Sequence, residues 1–403
     1  MNSYIEDDIP SVPENGDVKQ AAWAGVVSLS LGVFALVTAE FLPASLLTPM
    51  SADLGVSVGA AGQSVTMTAI VGAVAGPAVV IGTSRWDRRA TLLVLTALLI
   101  VSSLMAAVAS GLPMLLLSRA LLGIGLGGFW AMSLALAMRL VPGRLMPRAM
   151  AIIMTGVSLA TVCAAPLGAW IGEAYGWRTA FGISAALGVV AIVMQAASLP
   201  AMPSKGVAGL STLLAVLRRP AIRVGLLTVL LVVAGHFAGF TFIRYYLETV
   251  PGFGVEALSA ILLAYGIGGF LGNIFGGFVS ERNTSLSITL AAGGIAVTAL
   301  VLALAGASPV IAAVTTALWG FAFGALPVSV QSYVTRAAGD AAESAGALML
   351  STFQIAISSG AVLGGLLVDT HGATAVFGFT SLSAVLGALV IVFAGRARLQ
   401  QPA

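Results

Sequence analysis

The sequence predicts an all-α membrane protein whose twelve transmembrane helices form two pseudo-symmetric six-helix bundles. Three observations carry this prediction. Apolar residues make up 59% of the 403-residue chain and charged residues only 8%, against roughly 25% charged residues in soluble domains. The charges separate twelve long apolar stretches, and several sequence motifs recur 196 or 197 residues further along the chain.

Each of the twelve apolar stretches can form a helix that crosses the hydrocarbon, which needs roughly 20 residues. In chain order the predicted spans are 22–49, 60–82, 90–110, 113–138, 149–172, 179–199, 222–247, 257–280, 286–306, 309–334, 344–368 and 373–395. The gaps between them leave room only for short loops, apart from one longer connection between spans six and seven.

The basic residues predict the orientation. Fifteen of the eighteen Lys and Arg residues fall on one face if both termini are cytoplasmic, and positive charge is enriched on the cytoplasmic side of membrane proteins. Those fifteen are Lys19, Arg85, Arg88, Arg89, Arg139, Arg144, Arg148, Lys205, Arg218, Arg219, Arg223, Arg282, Arg336, Arg396 and Arg398. The three exceptions are Arg119, Arg178 and Arg244.

The spans also predict the domain organisation. The expected parts are a disordered acidic tail at 1–21, an N-terminal bundle at 22–199, a cytoplasmic linker at 200–221, a C-terminal bundle at 222–395 and a cytoplasmic tail at 396–403. Within the linker, the apolar run 210–217 predicts one interfacial turn of helix.

The two halves repeat each other in sequence. Gly123, Gly127 and Arg139 in the first half match Gly320, Gly324 and Arg336 in the second, and Arg85 matches Arg282. Parallel six-span repeats are the architecture of transporters that rock two halves around a site near the bilayer midplane. The repeat therefore predicts a transporter with its site between the halves.

Titratable and charged side chains inside the spans are few, and three of them are candidates for proton handling. Glu40 lies in span one and Arg119 in span four at similar predicted depth, so a pair or a relay through water is possible. A charge at bilayer depth costs roughly 2.5–3.5 kcal/mol, so such residues usually face a partner or a cavity. His236 lies 196 residues after Glu40, and histidine titrates near neutral pH.

Each of these residues has a plainer alternative. Glu40 could pin one helix to another, Arg119 could extend its guanidinium to the membrane surface, and His236 could hydrogen-bond a neighbouring helix. Sequence alone leaves these alternatives open.

Candidates for substrate contact are aromatic or amide side chains deep in the spans. Trp130 and Trp319 are suited to stacking on a flat ligand. Gln63 and Gln354 offer uncharged hydrogen-bonding groups, although helix-to-helix hydrogen bonding is the alternative for both.

Small residues and a proline predict close packing and local bending. Gly123 and Gly127 make one face of span four small, which favours close helix approach. Pro166 removes a backbone hydrogen bond from span five.

Other function classes find no support in the sequence. No Gly-rich loop ends in Gly-Lys-Ser/Thr, so no ATP-binding P-loop is predicted. Two His and one Cys predict no metal cluster, and no cofactor, enzyme activity or nucleic-acid partner is expected. An ion gradient is the expected driving force.

Three motifs resemble the major facilitator superfamily, and within it the drug:proton antiporter group. They are Arg119-x-x-x-Gly123-x-Gly125 in span four, Ala165-Pro166-x-Gly168 in span five and Gly176-Trp177-Arg178-x-x-Phe181 at the start of span six. The resemblance implies the fold of that superfamily, and it implies a role in proton coupling for Arg119.

The loop between spans two and three resembles the family's inner gate but departs from it at one position. Arg85, Arg88 and Arg89 are present, while Ser84 stands where the family pattern has an acid. The second copy keeps that acid in Glu281-Arg282. The resemblance thus implies gating roles for these residues, with a gate that differs between the halves.

Four further stretches resemble bacterial exporters of purine ribonucleosides: 40–50, 61–66, 127–133 and 138–142. This resemblance implies export of inosine or guanosine in exchange for protons by a monomer in the bacterial inner membrane. The alternatives are a multidrug or sugar exporter on the same scaffold and a membrane sensor or scaffold without transport.

Overall fold

A computed structural model describes residues 22–142, 145–203 and 215–395. The predicted tails and most of the predicted turn at 210–217 lie outside the described residues. The helices are α1 (Trp23–Leu54), α2 (Val58–Gly82), α3 (Arg88–Ala107), α4 (Leu112–Leu140), α5 (Met146–Tyr175), α6 (Trp177–Ser198), α7 (Pro220–Thr241), α8 (Ile243–Thr249), α9 (Val255–Arg282), α10 (Thr284–Ala305), α11 (Pro309–Ala338), α12 (Ala342–His371) and α13 (Ala375–Val390).

Twelve of these helices are long and apolar enough to cross a membrane, and no strand occurs in the described ranges. The predicted all-α fold with twelve spans is therefore confirmed. Span seven differs from its prediction, because α7 ends at Thr241 and the short α8 completes the path after Phe242. The last span ends in a wider π-helical turn at Ile391–Gly395.

The two halves are built on the same helix crossing. On α4, a Cβ atom at Gly127 would overlap the carbonyl oxygen of Gly72 on α2. On α11, a Cβ atom at Gly324 would overlap the carbonyl oxygen of Gly269 on α9. Both members of the second pair lie 197 residues after those of the first, so the pseudo-symmetry predicted from the sequence is present in the backbone packing.

The halves meet through four pairs of helices. α12 packs on α2, α5 packs on α9, and α1 contacts both α7 and α8. Pro166 leaves the carbonyl of Val162 without its usual amide partner four residues on, and this stretch of α5 lies so close to α9 that a Cβ atom at Gly266 would overlap it.

Several polar links between the halves gather at one end of the bundle. This end holds the α1–α2 connection and is termed the α1–α2 end. There the Asp369 carboxylate at the end of α12 accepts hydrogen bonds from the Ser57 hydroxyl (2.6 Å) and the Gly59 amide (3.0 Å). A carboxylate of the second half therefore caps the first turn of α2, where free amides favour negative charge.

Candidate functional site

Glu40 lies at the interface between the halves and is buried, with 7% of its surface exposed. Its Oε1 accepts a hydrogen bond of 3.4 Å from Nε2 of Gln354 on α12. The carboxylate of the first half is therefore held by an amide of the second half. This contact joins a residue predicted for proton handling to one predicted for substrate contact.

Arg119 is fully buried, so its guanidinium does not extend to the surface. Its Nη2 donates to the Ala39 carbonyl at 2.9 Å and its Nε donates to the Thr68 hydroxyl at 3.1 Å. The cation also lies 5.7 Å from the centre of the Phe181 ring, within the range of a cation–π contact.

Glu40 and Arg119 are neighbours without a direct ion pair among the described residues. The guanidinium binds the carbonyl of Ala39, the residue that precedes Glu40. Within the described part of the chain, Nη1 of Arg119 and Oε1 of Gln354 have no hydrogen-bond partner although both are buried. One unused donor thus belongs to Arg119, which binds the backbone next to Glu40, and one unused acceptor belongs to Gln354, which binds the Glu40 carboxylate.

His236 lies in an aromatic cluster of the second half. Its ring stacks on Phe323 with 3.5 Å between ring centres and 3° between planes, and its Nε2 lies 3.1 Å from the hydroxyl of Tyr265. Trp319 adds a tilted ring at 4.9 Å. The cluster reaches α1 through Phe41, so the aromatic cluster of the second half touches the residue that follows Glu40.

The predicted substrate residues are not all brought together. Trp319 is fully buried inside the aromatic cluster, whereas Trp130 is partly buried against the apolar core of the first half. Gln63 is partly buried on α2, next to Gly62, which packs against Phe242 of the second half. Of these four residues, only Gln354 has a hydrogen bond to Glu40 in the described part of the chain.

The loop between α2 and α3 is organised by Asp87, the acid that follows the position of Ser84. Its Oδ1 accepts from the Arg89 amide at 2.8 Å to cap α3, and its Oδ2 accepts from the Met202 amide at 2.7 Å. This acid anchors the start of the linker instead of crossing to the other half. Arg85 is exposed, while Arg88 is buried.

In the second half, Arg336 donates to the Glu281 carbonyl at 3.3 Å. Glu281 and Arg282 are both exposed at the end of α9. Neither half thus shows an ion pair at this loop among the described residues.

Arg244 makes a contact between the halves that the sequence did not predict. It is buried on α8 and binds three groups: Glu248 at 2.6 Å, the Ser45 carbonyl at 2.8 Å and Glu173 at 3.3 Å. Ser45 and Glu173 belong to the first half, so Arg244 ties the halves together at the α1–α2 end. The sequence did offer one signal, because Arg244 is one of the three basic residues that fall outside the predicted cytoplasmic face.

A groove of about 610 Å³ between α2 and α4 is separate from this site. Its wall includes Ile70, Val74 and Ile124 and is almost entirely apolar. It contains neither Glu40 nor any of the predicted substrate residues, so the polar interface around Glu40 is the better candidate for recognition of a polar ligand.

A twelve-helix duplication with a buried acid and amide facing each other between the halves is the arrangement of a secondary transporter. The sequence profile of the Major Facilitator Superfamily matches residues 29–358. The chain belongs to this superfamily and is a transporter rather than an enzyme.

Curated relatives that match nearly the whole chain are efflux proteins. The chain is 40% identical over 369 residues to the purine ribonucleoside efflux pump NepI of Escherichia coli O157:H7, covering 92% of this chain and 93% of that protein. It is 39% identical over 374 residues to the pump of the same name from Salmonella enteritidis PT4, covering 93% and 94%. These relatives support an efflux transporter.

Solved structures agree on the fold. The bacterial homologue of the human lysosomal transporter Spinster, crystallised inward-facing and unoccupied, superimposes with a TM-score of 0.70 at 15% identity. The match covers 94% of this chain and 97% of that one. At this identity the likeness concerns the fold alone.

Proposed function

We propose that this transporter exports purine ribonucleosides, such as inosine and guanosine, in exchange for protons by alternating access. The observation that carries the proposal is the contact between Glu40 of the first half and Gln354 of the second. A group that can gain and lose a proton lies where the two halves must separate for transport. The named activity of relatives about 40% identical over nearly the whole chain supports the substrate class.

The proton step is assigned to Glu40 with Arg119 beside it. When Glu40 is ionised, the buried guanidinium compensates its charge and the Gln354 amide donates to it. When Glu40 is protonated, its hydroxyl becomes a donor and the attraction to Arg119 is lost. Proton binding therefore changes both the pairing with Gln354 and the charge balance at the interface.

His236 is assigned to the proton path on the side of the second half. Its hydrogen bond with Tyr265 gives it one polar partner in an otherwise aromatic environment. Phe41 links this cluster to α1. A change in the position of the His236 ring would therefore reach Glu40 through contacts between neighbouring aromatic rings.

Nucleoside recognition needs a flat apolar surface for the base and hydrogen-bonding groups for the ribose. Gln354 and Gln63 would bind ribose hydroxyls, and Trp130 or Trp319 would stack on the base. Because Trp319 is fully covered in this state, its contact with a base requires the aromatic cluster to open. Trp130 is partly exposed and needs a smaller rearrangement.

The gating roles divide between the two ends. At the α1–α2 end, the contacts of Arg244 and Asp369 hold the halves together. At the opposite end, Arg85, Arg88 and Arg89 and the Glu281-Arg282 pair would form contacts when the protein closes there. The glycine crossings at Gly123 and Gly127, and Pro166 in α5, would let the helices move without losing their packing.

The orientation and assembly are also proposals. The distribution of basic residues supports cytoplasmic termini in the bacterial inner membrane, which makes the α1–α2 end the outer end. A monomer is proposed, since each chain carries both halves of the interface. Accessibility of a tag at either terminus in intact cells and in inverted vesicles tests the orientation.

Uptake into inverted membrane vesicles under an imposed pH gradient, acidic inside, tests the substrate assignment. Labelled inosine, labelled arabinose and a cationic dye are compared in the same vesicles. Accumulation of inosine that collapses with the gradient supports the proposal. Accumulation of the sugar or the dye, with no accumulation of inosine, would reject the nucleoside assignment. It would favour a sugar exporter or a multidrug exporter with the same fold.

A further inference from the structure

Two prolines inside α1, Pro43 and Pro49, leave two backbone carbonyls without their helical partners. In an α-helix the amide of residue i donates to the carbonyl of residue i−4, and proline has no amide hydrogen. The carbonyls affected are those of Ala39 and Ser45. Both lie in the middle of a 32-residue helix, where free carbonyls are otherwise absent.

Both freed carbonyls accept a hydrogen bond from a buried arginine. Arg119 binds the Ala39 carbonyl at 2.9 Å, and Arg244 binds the Ser45 carbonyl at 2.8 Å. The first arginine belongs to the same half as α1 and the second belongs to the other half. The exposed fractions of the two arginines are 0% and 3%, so each cation depends on protein acceptors.

Other arginines that bind backbone carbonyls in the described ranges follow a consistent rule. Their acceptors lie in the last turn of a helix or outside helices, where no amide four residues on competes for them. These acceptors are the carbonyls of Thr83, Ala109, Ala196, Pro203, Leu217, Glu281 and Ala338. Among the described residues, Ala39 and Ser45 are the two acceptors of this kind in mid-helix, and each lies four residues before a proline.

We propose that Pro43 and Pro49 are positioning residues, each of which frees a carbonyl of α1 so that it docks a buried arginine. Pro43 places Arg119 beside Glu40. Pro49 places Arg244 across the interface between the halves. The docking itself is independent of the transported substrate, whereas its consequence for proton coupling rests on the proposed function.

The chain supplies a control proline. Pro77 lies inside α2 and frees the Ala73 carbonyl, but no side chain of the described residues donates to that carbonyl. Replacing Pro77 by alanine restores a helical hydrogen bond without displacing an arginine. Its effect therefore measures the ordinary gain from removing a proline inside a helix.

Double-mutant cycles on the purified full chain in detergent test the docking through thermal unfolding. The matched cycles combine Pro43→Ala with Arg119→Gln and Pro49→Ala with Arg244→Gln. The crossed cycles combine Pro43→Ala with Arg244→Gln and Pro49→Ala with Arg119→Gln. Residues that share an interaction give non-additive effects, whereas distant residues give additive ones.

The expected result is non-additivity in the matched cycles alone. Each proline-to-alanine change should raise the melting temperature more in the background that lacks its arginine, by about 2 °C. Additive effects in the matched cycles would overturn the proposal, as would equal non-additivity in the crossed cycles. If Arg119→Gln gives no folded protein, Arg119→Met completes the cycle, because the methionine side chain has no hydrogen-bond donor for the Ala39 carbonyl.

A transport readout separates the two prolines by function. Pro43→Ala should change the pH profile of inosine exchange, as a displaced Arg119 would, and Pro49→Ala should leave the shape of that profile unaltered. An unaltered profile in Pro43→Ala, with the wild type active, would overturn the link to proton coupling. Absence of inosine transport in the wild type, with the thermal cycles as expected, would instead reject the proposed substrate and keep the docking.

Discussion

The two halves of the molecule share a backbone scaffold but differ in the polar groups that this scaffold carries. The crossing of α2 with α4 through Gly72 and Gly127 is repeated in α9 and α11 through Gly269 and Gly324. In the first half, Thr68 beside this crossing hydrogen-bonds Arg119. In the second half, the residue at the same repeat position is Tyr265, which hydrogen-bonds His236.

This difference shows which features the repeat preserves. Close backbone approach admits only glycine at positions 127 and 324 of the crossing, and both copies have glycine there. The side chains next to the crossing meet no such limit, and they have diverged into a cationic centre on one side and an aromatic cluster on the other. The proposed proton chemistry is thus unequal between two halves that share one backbone scaffold.

Replacing Glu40 by glutamine should have the largest effect, because it removes the titratable group that faces the other half. We expect inverted vesicles to lose accumulation of labelled inosine against its gradient, while equilibration across the membrane persists. Glu256→Gln, which changes an exposed carboxylate on α9, is the matched control and should accumulate inosine as the wild type does. Full gradient-driven accumulation in Glu40→Gln would remove this residue from proton coupling.

Alanine at the glycine crossings should destabilise both halves to a similar degree. Gly127→Ala and Gly324→Ala each place a Cβ atom against a carbonyl oxygen of the facing helix, and such overpacking costs about 1–3 kcal/mol. Thermal unfolding in detergent measures the loss. Gly277→Ala, where a Cβ atom meets open space, should cause no such loss, and equal stability of all three variants would refute the shared crossing.

Replacing His236 by phenylalanine should reduce transport less than Glu40→Gln does. Phenylalanine keeps the stacking on Phe323 but loses the hydrogen bond to Tyr265, and one buried hydrogen bond contributes about 1 kcal/mol, or about fivefold in rate or affinity. Initial rates of inosine uptake across a pH series measure the change. A wild-type rate and profile would reduce His236 to a packing residue.

The smallest effect is expected from Asp369→Asn at the α1–α2 end. The neutral side chain loses the charge that favours the first turn of α2, which is typically about 0.3–1 kcal/mol at exposed sites. We expect spin labels on Ala52→Cys and Glu256→Cys, with Cys163 replaced by alanine, to report a larger share of separated halves. Asp53→Asn is the control, since Asp53 pairs with Arg178 inside the first half, and an equal shift in both variants would contradict the inter-half role of Asp369.

The sequence left a pair between Glu40 and Arg119 open as one of several alternatives, but it predicted the number of spans and the duplication. Charges and motif spacing carry this information directly. It did not predict which side of each helix faces the other half, because a membrane helix is apolar on its lipid face as well as its protein face. The contact of Glu40 with Gln354 and the inter-half role of Arg244 therefore required the structure.

The break in span seven shows a second limit. α7 ends at Thr241, and the backbone leaves the helical region at residue 242. That residue is phenylalanine, which does not predict the end of a helix as proline or glycine would. The freed carbonyls of Ala39 and Ser45, by contrast, can be predicted from Pro43 and Pro49. Their arginine partners cannot, because they come from distant segments of the chain.

Proton counterflow provides the most direct test of the central claim. Purified protein is reconstituted in liposomes without an imposed gradient, inosine is added outside, and a pH-sensitive dye follows the external medium. The account predicts that inosine entry releases protons from the lumen of wild-type liposomes, and that Glu40→Gln liposomes take up inosine without this release. Inosine uptake by the wild type with no proton release, or equal release by Glu40→Gln, would contradict it.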